Sequence, residues 1–288
     1  MGWPRLLAIV TCAAAIAGGG GVVIGMAQNR ATPVQATRLY VFENGYIRGL
    51  STELFNFAPE EIKQPDFVNV SYLVVHPKGT LQFDAGAIPD SHFKGDGAPV
   101  TEGILSASKP LVPQLAAAGY KPSEITYLAM SHYHSDHTGN ANEFAGATWI
   151  VQKADHDWMF GDKPEGIIQP ATYSALRNAK KRILNNEDLD VFGDGAVRVV
   201  SAPGHTPGHQ VLFVRLPKRG PVVLAGDLYH YPEERATGRL PTFEFNADQS
   251  RAARAKVEAL LKQTGAQLWI EHDIATHEKL PKSPAFVE

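Results

Sequence analysis

Beyond about residue 38 the chain alternates short apolar runs with stretches of helical spacing, the rhythm of an α/β domain. Residues 70–76 and 80–84 predict a hairpin turning at Pro77-Lys78-Gly79. Further strands are predicted at 125–130, 147–152, 196–201, 210–216, 221–225 and 267–271, all rich in Val, Leu, Ile and Phe. Helical spacing covers 109–118, 171–184 and, most clearly, 247–264. In the last, Asn246 is the candidate N-cap with Gln249 three residues on; Ala253, Val257, Leu260, Leu261 and Thr264 share a face, and Gly265 is the stop. The segment 158–170 is rich in Gly, Pro and charge and fits no regular element. It reads either as a loop over a site or as an ordinary connection with Trp158, Met159 and Phe160 turned into the core.

The amino terminus follows a different pattern. Arg5 precedes an apolar stretch from 6 to 17, then Gly18 to Gly21, then a weaker apolar piece from 22 to 27. Small residues in Ala15-Ile16-Ala17 and Gly25-Met26-Ala27 suit a signal peptidase, and the glycines weaken a continuous membrane helix, so residues 1–27 are expected to be a cleaved secretory signal. The alternative is an uncleaved membrane anchor. Export would make the protein periplasmic or secreted, with no stable membrane association once the signal is gone, and residues 38–288 would be a single domain. Cys12 is the only cysteine and lies inside the signal, leaving the mature chain without thiolate ligands.

Over 288 residues, 27 Lys and Arg face 30 Asp and Glu, a net charge of -3 with no basic run, which argues against nucleic acid as a partner. No repeat period is visible either, so small-molecule chemistry fits best. The oligomeric state, monomer or homodimer, is left open.

The candidate chemistry lies in His132-Tyr133-His134-Ser135-Asp136-His137, four potential metal ligands in six residues following an apolar strand. His132 and His134 sit two apart, where alternate side chains of an extended segment point the same way and can reach one ion. Asp136 and His137 follow on the turn and can serve a second ion. More donors are needed, and three strand ends offer them: His205 in Pro203-Gly204-His205-Thr206-Pro207-Gly208-His209, Asp227 after Gly226, and His272 in Glu271-His272-Asp273. His209 competes with His205, but its place at the start of the next strand favours a hydrogen-bonding role.

In this order and spacing the blocks resemble the metallo-β-lactamase superfamily, over roughly residues 65 to 280. The resemblance implies an αββα sandwich of two mixed β-sheets flanked by helices. It also implies that His132, His134 and His205 hold one divalent ion, that Asp136, His137 and His272 hold a second, and that Asp227 bridges both. Asp84 in Phe83-Asp84-Ala85-Gly86 matches the family's aspartate that orients a ligand histidine, although the usual Asp-Thr-Gly is here Asp-Ala-Gly. Zinc suits these ligands best, with iron, cobalt or manganese able to take the same donors.

Within the family the chain looks like the N-acyl homoserine lactonases. Asp227 stands where β-lactamases carry Cys or Ser, and Leu228 to Glu234 replaces the glutathione-binding segment of glyoxalase II. The lactonases commonly place a substrate-contacting tyrosine three residues after the bridging aspartate. Here that position is His230, flanked by Tyr229 and Tyr231, and either tyrosine is the expected contact to a lactone carbonyl. A hydroxide shared by the ions would then attack, with Asp136 returning the proton to the leaving alkoxide. The competing readings are a phosphotriester hydrolase, a β-lactamase and a metal-binding protein without turnover. The sequence also makes an expectation about maturation: amino-terminal sequencing of the protein exported from a bacterial host should begin after Ala17 or Ala27, and an intact membrane-held chain would favour the anchor.

Overall fold

The computed structural model describes Met1 and residues 35–95, 98–162 and 166–288, so the expected signal lies outside the described residues. Pro33–Glu288 form one unit by themselves. Its strands are β1 (Arg38–Ile47), β2 (Phe67–His76), β3 (Gly79–Phe83), β4 (Val100–Glu102), β5 (Leu105–Ala107), β6 (Tyr127–Ala129), β7 (Thr148–Gln152), β8 (Lys181–Leu184), β9 (Leu189–Asp190), β10 (Val197–Ser201), β11 (Gln210–Leu216), β12 (Gly220–Leu224), β13 (Gln267–Trp269) and β14 (Phe286–Val287). Its helices are α1 (Leu111–Ala117), α2 (Ser135–Thr138), α3 (Lys153–Phe160), α4 (Pro170–Tyr173), α5 (Pro232–Thr237), α6 (Ala247–Thr264) and α7 (Ile274–His277).

One sheet runs β4-β5-β1-β2-β3-β6-β7-β8 with β14 beside β1, and the other runs β13-β12-β11-β10-β9. Both are mixed: β3, β6, β7 and β8 pair in parallel, as do β12 and β13, while the remaining ladders are antiparallel.

Alternation along the strands builds four layers. Leu39, Val41, Val70 and Tyr72 of the first sheet meet Val199, Leu212, Val214 and Val222 of the second in an apolar seam. Their neighbours face outward: Tyr40, Phe42, Leu73 and Val75 pack beneath Leu111 and Leu115 of α1 and Met159 of α3. On the far side Val200, Val211, Phe213 and Val223 pack on Ala253, Val257 and Leu261 of α6. Strands covered on both faces read as nearly continuous apolar runs, which is why the central ones were legible.

Two expectations change. Residues 171–184 are not one helix: α4 passes into a 3-10 turn at Ser174–Asn178, and the chain then straightens into β8. β8 is an edge strand whose Arg182 and Ile183 are exposed, and its Lys-Arg start mimics a solvated helix face. The stretch 158–170 combines both readings offered for it. Trp158, Met159 and Phe160 end α3 against the core, while Ile167 reaches the mouth of a cavity.

α6 keeps the bounds its pattern predicts. The Asn246 side chain accepts the Asp248 and Gln249 N–H groups at 3.0 Å each, and Gly265 closes the helix in the left-handed conformation. Asn246→Ala is expected to cost about 1 kcal/mol, read as a lower denaturant midpoint at unchanged slope.

Candidate metal centre

Every donor of the cluster leaves the carboxyl end of a strand: Asp84 after β3, residues 131–137 after β6, His205 after β10, Asp227 after β12 and His272 after β13. The first two strands belong to one sheet and the other three to its partner, so the site closes the seam. Two glycines permit the approach. Gly226 has φ +49°, and a Cβ there would lie 2.5 Å from the Ser131 Cβ. Gly204, at φ +143°, would drive a Cβ to 2.3 Å from the Ser250 nitrogen.

Asp227 sits at the centre. Its Oδ2 is 3.7 Å from His132 Nε2 and 3.4 Å from His205 Nε2; its Oδ1 is 3.2 Å from His137 Nε2 and 3.1 Å from His272 Nε2. His134 Nδ1 lies 3.0 Å from His205 Nε2, and Asp136 Oδ2 lies 3.3 Å from His137 Nε2 and 3.7 Å from His272 Nε2. The donor atoms fall into two compact groups, His132-His134-His205-Asp227 and Asp136-His137-His272. The structure thus brings together all seven residues singled out as ligands.

The chemistry of the donors fits cations. His132 Nε2, His137 Nε2 and Asp227 Oδ1 are buried and, among the described residues, have no hydrogen-bond partner. Burial pushes the His132 imidazole well below its ordinary pKa and those of His134 and His205 down to about 3, which leaves lone pairs free for ligation. The opposite nitrogen of His272 donates to the Val68 carbonyl at 3.0 Å, turning Nε2 toward Asp227.

His209 behaves differently. Its Nδ1 donates to the Ala202 carbonyl at 3.0 Å and its Nε2 accepts the Asp227 N–H at 3.1 Å. Neither nitrogen remains for an ion. The imidazole instead braces the backbone that carries Asp227.

Above the cluster lies a cavity of about 320 Å³, lined by Asp136, Asp227, His134, His230 and His272 at its base and by Ile47, Leu50, Phe55, Leu105, Ile167 and Phe243 along its walls. Tyr229 and Tyr231, the residues expected to meet a substrate carbonyl, are not among those lining this cavity. Tyr229 donates to Glu258 at 3.3 Å beneath Arg254, and Tyr231 donates to the Pro65 carbonyl at 2.9 Å with its ring against Phe55 and Phe67. The backbone is extended at both tyrosines, so the side chain between them takes the opposite direction. That residue is His230, with Nε2 3.2 Å from Asp227 Oδ2 and Nδ1 3.3 Å from Glu234 Oε1. Glu234 is fully buried and pairs with Arg254, which also donates to the Leu228 carbonyl at 2.8 Å. Three residues after Asp227 was the available signal for His230; the Glu234–Arg254 pair carried none.

Asp155 of α3 was also invisible in the sequence. Its carboxyl accepts the Gly208 N–H at 2.6 Å and the Thr206 hydroxyl at 2.9 Å, holding the loop that presents His205.

The sequence matches the metallo-beta-lactamase superfamily over residues 65–265. The N-acyl homoserine lactonase AttM of Azorhizobium caulinodans is 30% identical over 273 residues, which is 87% of this chain and 98% of that protein. Among solved structures, an N-acyl homoserine lactone hydrolase with the product N-hexanoyl-L-homoserine at its catalytic metal centre superimposes with a TM-score of 0.73, at 22% identity over 88% of this chain and all of that one. AidC, a dizinc quorum-quenching lactonase, gives 0.59 at 20% identity over 88% of this chain and 95% of its own.

Burial raises the Asp155 pKa to about 7 from an ordinary 3.8, against the two hydrogen bonds that hold it down. Since the folded value exceeds the unfolded one, ionisation opposes folding: the contribution of Asp155 to stability is full below pH 3.8 and is lost as pH climbs through about 7. Asp155→Asn keeps an acceptor for Gly208 and offers Thr206 a donor. Denaturation of the metal-free protein should therefore show a smaller stability gap between acidic and mildly basic buffer in this variant than in the wild type; an unchanged gap would mean that Asp155 does not titrate there.

Proposed function

The chain belongs to the metallo-β-lactamase superfamily, and from that membership we propose that it is a metal-dependent hydrolase that opens the lactone ring of N-acyl homoserine lactones. The observation that carries the reading is Asp227, whose two oxygens serve two separate histidine groups at the base of an apolar cavity. His132, His134 and His205 would hold one divalent ion, Asp136, His137 and His272 the other, with Asp227 shared between them. Zinc is the proposed metal; the dizinc lactonase of similar fold supports it. When bound, two such ions make a shared water acidic enough to act as a nucleophile near neutral pH.

The chain's own residues do the rest. The apolar walls hold the acyl chain and exclude water, leaving the lactone ring over the donors. His230 lines the cavity base beside Glu234, and the contact with the ring carbonyl is assigned to it, an assignment its place in the cavity lining supports. Asp136 lines the cavity and carries the proton: its carboxylate takes one from the attacking water and returns it to the ring oxygen as the C–O bond breaks. The product is the open N-acyl homoserine, heavier by one water. The product-bound hydrolase of similar fold supports this substrate class. The amino-terminal pattern adds export to the proposal, placing the enzyme where diffusible lactones cross the cell envelope.

The metal-loaded protein is expected to open homoserine lactones much faster than β-lactams at matched enzyme and metal concentrations, with mass spectrometry recording the added water. Asp227→Ala should lose the activity together with more than one ion's worth of bound metal. A β-lactam rate equal to the lactone rate would sink the reading, and an inert lactone beside a rapidly cleaved phosphotriester would move the protein to that branch.

A further inference from the structure

Glu271 is fully buried and immediately precedes His272 at the end of β13. While His272 faces the cavity, the Glu271 carboxyl lies behind the cluster, with Oε1 3.3 Å from His137 Nδ1. Asp84 Oδ2 stands 3.3 Å from that same nitrogen, and the Ser131 hydroxyl stands 3.2 Å from it. One ring nitrogen thus faces two carboxyls and a hydroxyl. The other oxygen of Asp84, Oδ1, accepts the Ser131 N–H at 2.6 Å. Among the described residues neither Glu271 oxygen completes a hydrogen bond.

The two carboxyls flank one nitrogen of the His137 ring, and the ring's other nitrogen, Nε2, meets Asp136 and Asp227. We propose that Glu271 is a positioning residue for the second ion: together with Asp84 it fixes the His137 ring, and so holds the nitrogen that this ring turns toward the ion of Asp136, His137 and His272. This rests on the two-ion reading above and adds to it a residue that touches no ion. Asp84 holds the ring from one side, and Glu271 holds it from a second.

The test compares wild type, Glu271→Gln and Glu271→Ala, with zinc as the probe, by metal analysis and competition against chelators of graded affinity, and by melting of the metal-free proteins. The expected result is two ions in the wild type, a ten- to hundred-fold weaker second ion in both variants with the first ion retained, and a metal-free melting temperature in Glu271→Gln that is equal to or above the wild type's. Wild-type affinity for both ions in the variants would overturn the proposal and leave the two-ion reading standing. So would a metal-free protein destabilised by Glu271→Gln with metal affinity unchanged, since that marks a structural role, or variants that do not fold even with excess zinc. Three ions in the wild type would make Glu271 a ligand rather than a positioning residue. Fewer than two ions in the wild type would overturn both readings.

Discussion

Asp227 must reach two groups of imidazoles at once, and the rest of the architecture follows from that demand. A single buried carboxylate can do so only if the segments carrying those imidazoles arrive from both sides, here to within 3.1 to 3.7 Å of its oxygens. One sheet delivers His132, His134, Asp136 and His137, while the other delivers His205, Asp227 and His272. Concentrating so many polar groups in a dry place is affordable only where they answer one another's charge. Among the described residues His132 Nε2 and Asp227 Oδ1 complete no hydrogen bond.

Holding these atoms in place falls to residues that never face the cavity. Gly226 removes a side chain that would collide with Ser131; His209 ties the Asp227 backbone to the start of β11; Asp155 fastens the loop of His205 from α3. Each constraint is short and buried. The walls above are different in kind, being apolar side chains drawn from β1, the β4–β5 turn and the loop around Ile167. The base and the walls still touch: the Phe55 ring packs on His230 and the Phe243 ring on His205 and His230.

What could be read from the sequence divides along the same line. The cluster from His132 to His137 is legible because four donors crowd six residues after an apolar strand, and Asp227 and His272 because each ends such a strand. α6 is legible because its cap, apolar face and stop all agree. β8 is not, since Lys181 and Arg182 on an edge look like a solvated helix, and the short β4 and β5 offer too few residues for any period. Glu271, Asp155 and Glu234 escape for a deeper reason. Each is an ordinary acid in its own neighbourhood, and its meaning comes from partners such as Asp84, Thr206 and Arg254 that only the folded chain brings near.

A site that closes the seam between two sheets also changes how the protein comes apart. Neither sheet alone carries a full set of donors for the shared aspartate, and the residues involved run from Asp84 to His272. Under the two-ion reading, an ion that needs both halves would bind the native chain more tightly than the unfolded one, and its free concentration would become a thermodynamic variable of folding, adding at most about 2.7 kcal/mol at a hundred times its dissociation constant. Melting would then report the metal as well as the fold.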